Sequence, residues 1–439
     1  MIEKIRIGCG AGFSGDRLDP AVILVEQGEL DYLVLECLAE RTIALAQKRK
    51  LQNPQAGYDP LLERRVELLL EPLLRKKVKL ITNMGAANPL AAADKIIEIA
   101  KQKKLHVKVA AVIGDDVLTS IDQTAHALET SQPLVTHGAL ISANAYMGVE
   151  GILEALQTNA DIIITGRVAD PSLFLAPMMH AFGWTEQSYD LLGKGTVLGH
   201  LLECAGQLTG GYYADPGKKN VPDMAHLGHP FVDVLADGSG MLGKIKGTGG
   251  MINLDTVKEQ LLYEVVNPHA YYTPDVIADF TTVKLIQHAK DQVRVSGGTG
   301  YSKPDTLKVS VGYQAGYLGE GEITYAGTNA VGRATLAGEI VKERLRSVLP
   351  DVRVDLIGQN SVHGNAFHRS EPYEVRLRVA VKTSDANHAA LVGEEVEALY
   401  TNGPGGGGGV RKYIHEMVGI VSTLIDRKLV KPQIIVKTS

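Results

Sequence analysis

The sequence predicts an α/β protein whose N-terminal half is built on a doubly wound, mostly parallel sheet. Two observations predict it. Strand-like and helix-like segments alternate from the start to about residue 185. Most of the strand-like segments are continuous apolar runs, which is typical of parallel strands buried on both faces. With 439 residues, the chain exceeds the ~250–300 residues of one core, so several domains are expected.

Six strands and seven helices are predicted in this half. The strands are Ile5–Gly8, Tyr32–Glu36, Val78–Thr82, His106–Val112, Ala139–Ala143 and Asp161–Thr165. The first helix is expected to begin at Asp19, an N-cap residue followed by Pro20, and to end at Gly28. The other helices are Arg41–Lys50, Leu61–Arg75, Pro89–Lys103, Val117–Leu128, Gly148–Thr158 and Asp170–Phe182.

Beyond residue 185 the pattern changes. A helix near Thr196–Leu208 precedes a segment rich in glycine, proline and tyrosine, with short alternating strands at Phe231–Val234 and Leu307–Val311. The C-terminal part has an α+β pattern that suits a ferredoxin-like arrangement: helices Ala330–Ser347 and Ala386–Leu399, strands Val352–Ile357 and Glu374–Val381, and a hairpin of Val418–Ile425 with Ile434–Lys437. The predicted regions are an α/β domain at 1–210, a β-rich region at 211–327 and an α+β domain at 328–439.

Composition excludes several classes of protein. The formal net charge of −5 gives no positive field for a phosphate backbone, so nucleic acid is not an expected partner. No run approaches ~18 apolar residues and the chain opens on an amphipathic strand, so we expect no membrane partner and a cytoplasmic location. Three cysteines, Cys9, Cys37 and Cys204, suit a reducing compartment.

Polar residues follow all six predicted parallel strands. Ligands of open parallel sheets bind outside the carboxyl ends of the strands, so this edge is the expected binding site. Some of these residues also suit helix starts, where glycine and N-cap residues occur without any ligand. The expected substrate-binding residues are Gly10, Gly12, Ser14, Gly15 and Asp16 after the first strand, Asn83, Asn144, and the later turn at Thr209 and Gly210.

The first loop matches a dinucleotide-binding fingerprint in part. Residues 10–15 read G-x-G-x-x-G, and Glu36 stands at the end of the second strand, where such proteins place a ribose-binding acid. The fingerprint requires its helix to open inside the glycine run, whereas here the helix start is at Asp19–Pro20. A backbone site for a generic anion is therefore favoured, with nicotinamide binding as the alternative.

Four residues are candidates for the chemistry. Arg41 or Arg167 could bind a substrate carboxylate or phosphate, and Glu36 or Asp170 could move a proton. Two of them have a structural alternative, since Arg41 suits an ordinary surface charge and Asp170, before Pro171, suits an N-cap.

Metal, cofactor and cysteine chemistry have weaker signals. His200 and Glu203 share one helical face, but a single His-x-x-Glu is common by chance, so we expect no metal and no cofactor. No histidine lies in the loops of Cys9 or Cys37, so packing is the expected role of both.

Several segments resemble one family, the acyclic terpene utilisation (AtuA-like) proteins. These segments are Ile7–Asp16, Glu36–Thr42, Thr165–Ser172, Leu198–Gln207, Thr209–Tyr212 and Val257–Glu264. The resemblance covers nearly the whole chain. It implies a place in the degradation of citronellol-type terpenes through acyl-CoA intermediates, and relatives also occur beside carboxylate uptake and metabolism. Some relatives carry a small ferredoxin-like C-terminal domain.

The combined prediction is an enzyme that acts on a branched-chain carboxylic acid or its CoA thioester. Hydration, dehydration or isomerisation next to a carbonyl is the expected reaction, because the strand ends carry carboxylates, asparagines and arginines. The alternatives are a nicotinamide-dependent oxidoreductase and a non-catalytic binding subunit of a carboxylase or hydratase. A homo-oligomer is expected, with a small partner subunit left open.

Overall fold

A computed structural model describes residues 2–364 and 371–439 of the chain. The strands are β1 Lys4–Ala11, β2 Tyr32–Leu35, β3 Lys79–Thr82, β4 Lys108–Ile113, β5 Leu140–Ala145, β6 Ile162–Thr165, β7 Pro230–Leu235, β8 Gly240–Lys244, β9 Tyr271–Tyr272, β10 Ile277–Asp279, β11 Lys284–Ala289, β12 Gln292–Ser296, β13 Thr299–Tyr301, β14 Thr306–Ala326, β15 Arg353–Ile357, β16 Glu374–Thr383, β17 Gly408–Asp426 and β18 Gln433–Thr438. The mixed α/β class is thereby confirmed.

The helices lie mostly where the sequence predicts them. They are α1 Asp19–Gln27, α2 Glu40–Gln52, α3 Leu62–Lys76, α4 Pro89–Gln102, α5 Glu150–Gln157, α6 Ser172–Phe182, α7 Tyr189–Glu203, α8 Leu254–Leu262, α9 Ala330–Leu345 and α10 Ala386–Asn402. Among the described residues, no helix combines the length and the apolar character needed to cross a membrane.

By its internal contacts the chain divides into two compact units. The first comprises Met1–Thr136, Leu140–Gly312 and Ile420–Ser439, and the second His137–Ala139 and Tyr313–Gly419. The three regions inferred from composition, 1–210, 211–327 and 328–439, stay a prediction.

The first unit is organised around a ten-stranded sheet in the order β11-β12-β8-β7-β1-β2-β3-β6-β4-β18. Its centre, β1-β2-β3-β6-β4, is parallel. The strands on either side are antiparallel, so β7, β8, β11 and β12 from the β-rich middle of the sequence extend this same sheet. The other strands of that region, β9, β10 and β13, form a separate three-stranded sheet. Central residues such as Leu33, Ile81 and Ile163 are almost fully buried, which explains their continuous apolar runs.

Two predicted elements differ in the structure. Residues 117–128 form turns instead of a helix, because Asp116 and Asp122 accept hydrogen bonds from the backbone N–H groups of Leu118 and Thr124 and so compete with helix formation. The predicted fifth strand exists as β5, but it pairs with β14 outside the ten-stranded sheet.

The prediction of a C-terminal hairpin is also wrong. β18 pairs antiparallel with β4, whereas β17 lies next to β14 in another sheet. In the second unit β16 pairs with β15 and with residues 317–326 of β14, and α9 and α10 share a core with these strands. The doubly wound and ferredoxin-like arrangements stay predictions.

Candidate functional site

Arg167 is the centre of a polar cluster at the carboxyl end of β6. Its side chain is only 2% exposed, and its guanidinium donates to the backbone carbonyl of Leu38 and to Asp170 Oδ1 at 2.8 Å. The ring of Tyr146 lies 4.0 Å from the guanidinium carbon, a cation–π contact. A buried cation requires such partners, and the ion pair fixes Asp170 in place, while Arg167 Nε is buried without a partner among the described residues.

Asp170 connects this cluster to a cavity. Its side chain is 33% exposed and lines that cavity. Burial of the carboxyl raises its pKa to about 7 although the charge of Arg167 opposes the rise, and Glu203 and Glu40 raise it further. A carboxyl with this pKa can both donate and accept a proton near neutral pH.

Glu36 lies at the end of β2 and is buried. Its Oε1 accepts hydrogen bonds from Asn83 Nδ2 and from the backbone N–H of Leu38, both at 2.9 Å. Burial raises the pKa of this carboxyl well above its usual value, and the nearby charge of Asp170 adds to the rise, while Arg167 opposes it.

Glu40, at the start of α2, is the ionised carboxylate of the cluster. It accepts hydrogen bonds from the hydroxyl of Tyr146 and, at 3.1 Å, from Lys308 Nζ. Burial would raise its pKa, but the bond from Tyr146 and the charges of Arg167 and Lys308 lower it to about 2. The hydroxyl of Tyr146 therefore donates to a carboxylate at neutral pH.

The cavity beside Asp170 has a volume of about 470 Å³. This lies within the ~300–1,000 Å³ typical of small-molecule sites, and the wall is mostly apolar, as in such sites. Its lining residues are Leu128, Tyr146, Ala169, Asp170, Pro171, Tyr271, Tyr272, Thr273, Pro274, Pro304, Thr306, Leu307, Lys308 and Leu424.

The first glycine loop makes internal contacts and does not line this cavity. The backbone N–H of Gly12 donates to Asp16 Oδ2 at 2.9 Å, and Arg65 donates to the carbonyls of Ser14 and Asp16. A Cβ at Gly12 would lie 2.4 Å from the carbonyl carbon of Cys204, so close packing explains the need for glycine there.

Gly10 and Gly15 also pack closely within the protein. A Cβ at Gly10 would lie 2.7 Å from Leu35, and one at Gly15 would lie 2.7 Å from the Phe13 ring. Ligand binding by Gly10, Gly12, Ser14, Gly15 and Asp16 stays a prediction.

The remaining predicted residues are spread over several places. Asn83 orients Glu36, and Asn144 donates to Asp115 at 2.9 Å with its own Oδ1 buried and unpartnered among the described residues. Thr209 donates to the carbonyl of Gly228 at 2.6 Å, and Gly210 takes the positive φ of a turn. Arg41 is exposed on α2 and does not line the cavity.

Sequence reasoning missed the pairing of Tyr146 with Lys308. Tyr146 follows β5, and its backbone N–H donates to the carbonyl of Lys308 on β14 at 2.8 Å. The polar residues at 144–146, directly after a predicted strand, indicate that Tyr146 could lie at the site. No local pattern indicates that Lys308, on a strand so distant in sequence, would lie beside it.

The candidate site consists of a buried arginine, several carboxylates and a tyrosine beside an apolar cavity. In the described part of the chain, no group of three or more His, Cys, Asp or Glu side chains is placed to hold a metal ion. A sequence model described as acyclic terpene utilisation family protein AtuA matches residues 5–436, so the chain belongs to the AtuA family. No curated protein and no solved structure gave a match.

Proposed function

We propose that this protein is an enzyme that moves a proton next to the carbonyl of a branched-chain carboxylic acid or its CoA thioester, in a hydration, dehydration or isomerisation. Membership of the AtuA family supports a role related to acyclic terpene utilisation. The observation that carries the proposal is Asp170, a carboxyl with a pKa of about 7 on the wall of a largely apolar cavity.

The apolar wall favours a branched hydrocarbon chain. Leu128, Leu307 and Leu424 line the cavity together with three prolines and three tyrosines. Burial of methyl and methylene groups there contributes ~0.8 kcal/mol per CH₂, so a branched chain binds more tightly than a short carboxylate.

Lys308 is the cation best placed for the polar end of such a substrate. Its side chain is 44% exposed and lines the cavity, whereas Arg167 is enclosed by protein partners. The ammonium group could therefore face a carboxylate or a developing enolate while it remains close to Glu40.

Asp170 supplies the proton transfer in this scheme. In its ionised form the carboxylate accepts a proton from the carbon next to the carbonyl, and in its neutral form it returns the proton to the same or another position. Arg167 balances the charge of Asp170, and Lys308 balances the charge that develops on the substrate oxygen. Glu36 is the second proton-transfer candidate, behind Asp170.

The test combines ligand screening with isotope exchange. Branched and linear unsaturated carboxylates, their CoA thioesters and NAD(P) are first screened for a rise in melting temperature, because a bound ligand stabilises the folded chain. Ligands that bind are then incubated with the protein in D₂O, and deuterium uptake at carbon is measured by mass spectrometry. The proposal expects uptake with a branched acyl compound and at least ~100-fold slower uptake with Asp170→Asn.

Arg41→Ala is the matched control, since Arg41 is exposed and outside the cavity lining. Equal uptake by the wild type and the Asp170→Asn variant would overturn the proposed role of Asp170. Stabilisation by NAD(P) alone would favour the oxidoreductase alternative.

A further inference from the structure

β17 carries a run of exposed residues in its central part. Residues 411–416 are all exposed, and Tyr413 and Ile414 keep 42% and 51% of their surface accessible. β17 stands at one end of the sheet order β15-β16-β14-β17, so one of its edges faces away from β14. Edge strands are usually short or covered, because an open edge pairs with other chains, yet β17 has 19 residues. Its outer edge is therefore a candidate interaction surface.

Two contacts mark the limits of this open edge. The backbone N–H of Val410 donates to the hydroxyl of Tyr400 at 3.2 Å, and the carbonyl of Ser422 accepts from the backbone N–H of Leu128 at 2.8 Å. Since neither partner belongs to β14, both groups face the outer edge. Backbone groups point alternately to the two edges of a strand, so those of the even-numbered residues from 412 to 420 also face outwards. These groups are placed to pair with a further strand.

The side chains of this section alternate between the two faces of the strand. Lys412, Ile414 and Glu416 lie on one face. The rings of Tyr413 and His415 stack with 5.8 Å between their centroids, which fits their common position on the other face. A cation and an anion therefore share one face, with an exposed isoleucine between them.

We propose that residues 411–417 of β17 pair antiparallel with the same residues of a second copy of this chain, around a two-fold axis at Ile414. A two-fold axis perpendicular to the sheet keeps the faces of both strands aligned, so both copies contribute the same residues. Even-numbered residues, whose backbone groups face outwards, then oppose each other and exchange hydrogen bonds. The sheets of the two copies become one continuous sheet.

Charge complementarity favours a second copy in this register. Pairing around Ile414 places Lys412 of each copy opposite Glu416 of the other, and Tyr413 opposite His415. Opposite charges directly across a strand pair are stabilising, and like charges are destabilising. An axis at residue 412 or 416 would oppose two lysines or two glutamates. An axis at residue 413 or 415 would place Lys412 and Glu416 opposite uncharged side chains, so the axis at Ile414 is the one of these five that forms both ion pairs.

The experiment measures the mass of the full chain in solution by sedimentation velocity, over a roughly 100-fold range of concentration around the micromolar level. Residues 411–417 make a small interface, and small interfaces are transient, so we expect monomer and dimer to exchange and the dimer fraction to rise with concentration. A wild type that stays monomeric throughout this range would overturn the proposal and leave the edge to a strand from another protein.

Charge reversal tests the register. Lys412→Glu and Glu416→Lys each place like charges opposite each other, so each should raise the Kd of the dimer at least about tenfold. An equal mixture of these two variants restores opposite charges across the interface and should form a heterodimer, which no effect confined to one chain would produce. Arg411→Glu is the matched control, because it makes the same change of charge on the other face, opposite Met417, and should alter Kd by less than about threefold.

Ile414→Pro tests the backbone pairing. The N–H of Ile414 faces outwards, so a proline there removes no hydrogen bond to β14, as is usual for prolines on edge strands, but it removes a donor at the centre of the proposed interface. We expect loss of the dimer with an unchanged far-ultraviolet circular dichroism spectrum. If this variant does not fold, the mixture of the two charge variants decides the test.

A dimer that persists in Ile414→Pro and in both charge variants would place the interface elsewhere and overturn the proposal. Loss of the dimer in the charge variants without recovery in their mixture would also overturn it, because the pairing of Lys412 with Glu416 would then be wrong. These outcomes are separate from the proposed reaction, since residues 411–417 do not line the cavity beside Asp170.

Discussion

The ring of Tyr146 covers one face of the Arg167 guanidinium, with 4.0 Å from the guanidinium carbon to the ring centroid. The tyrosine comes from the segment after β5 and the arginine from the segment after β6, and the backbone N–H of Met147 donates to the carbonyl of Arg167 at 3.2 Å. The segment after β5, a strand outside the main sheet, thus contributes Tyr146 to the site at the carboxyl ends of the parallel strands.

Loss of Arg167 should destabilise the protein strongly. Arg167→Ala removes the partner of Asp170 and the donor to Leu38, and breaking a buried charge pair costs ~3–5 kcal/mol. Urea unfolding at pH 7 measures the free energy of unfolding. Arg41→Ala, on the exposed side of α2, should stay within ~0.5 kcal/mol of the wild type. A similar loss in both variants would contradict the central place of Arg167.

Glu40 should stabilise the protein at neutral pH and not in acid. Its folded-state pKa is lowered to about 2, below its unfolded value, so its contribution is present above pH ~4.5 and disappears as pH falls towards 2. The side chain is 38% exposed, so screening limits the effect to ~1–2 kcal/mol. Glu40→Gln should be less stable than the wild type at pH 7, and the two should converge near pH 2–3.

The same experiment on Tyr146→Phe tests the cause of this behaviour. The hydroxyl of Tyr146 donates to Glu40, so removal of the hydroxyl should raise the pKa of Glu40. Tyr146→Phe should therefore show part of the stability loss that Glu40→Gln shows at pH 7. Glu98→Gln on α4 serves as the exposed control. A stability gap between wild type and Glu40→Gln that does not change with pH would show that charge is not its source.

Gly12→Ala should be destabilising because Gly12 packs against the backbone of Cys204, the residue that follows α7. The added Cβ would lie 2.4 Å from the carbonyl carbon of Cys204, and the backbone must move to relieve this clash, at a cost of ~1–3 kcal/mol. Thermal unfolding measures the loss. Gly405→Ala, where the Cβ meets no atom within 4 Å, is the control and should change the melting temperature little.

The three free cysteines should react slowly in the native protein. Cys9 and Cys37 are buried and Cys204 is partly so, and burial raises the pKa of each thiol, which disfavours the reactive thiolate. Titration with an aromatic disulfide at neutral pH should detect less than about one thiol per chain before denaturation and all three afterwards. Rapid native reaction of two or more would contradict the buried positions.

The sequence was sufficient to locate the five parallel strands of the sheet and their polar ends, because both are local patterns, but it wrongly added β5 to them. The pairing of Glu36 with Asn83 follows from the adjacency of β2 and β3 at one edge. The contact of Tyr146 with Lys308 depends on β14, which comes much later in the chain, and no local pattern specifies such a pairing. At residues 117–128 a local pattern was misleading. Their spacing predicts a helix, but aspartate side chains accept hydrogen bonds from the backbone and the segment forms turns.

The pairing of β18 with β4 has a consequence for synthesis of the protein. Residues 433–438 pair antiparallel with β4, the last of the parallel strands in the sheet order, and those parallel strands are synthesised far earlier. A nascent chain that lacks these residues leaves the hydrogen-bonding groups of β4 open, and unpaired strand edges invite association with other chains. During synthesis this edge of β4 therefore stays open to association until residues 433–438 have emerged, unless a chaperone covers it.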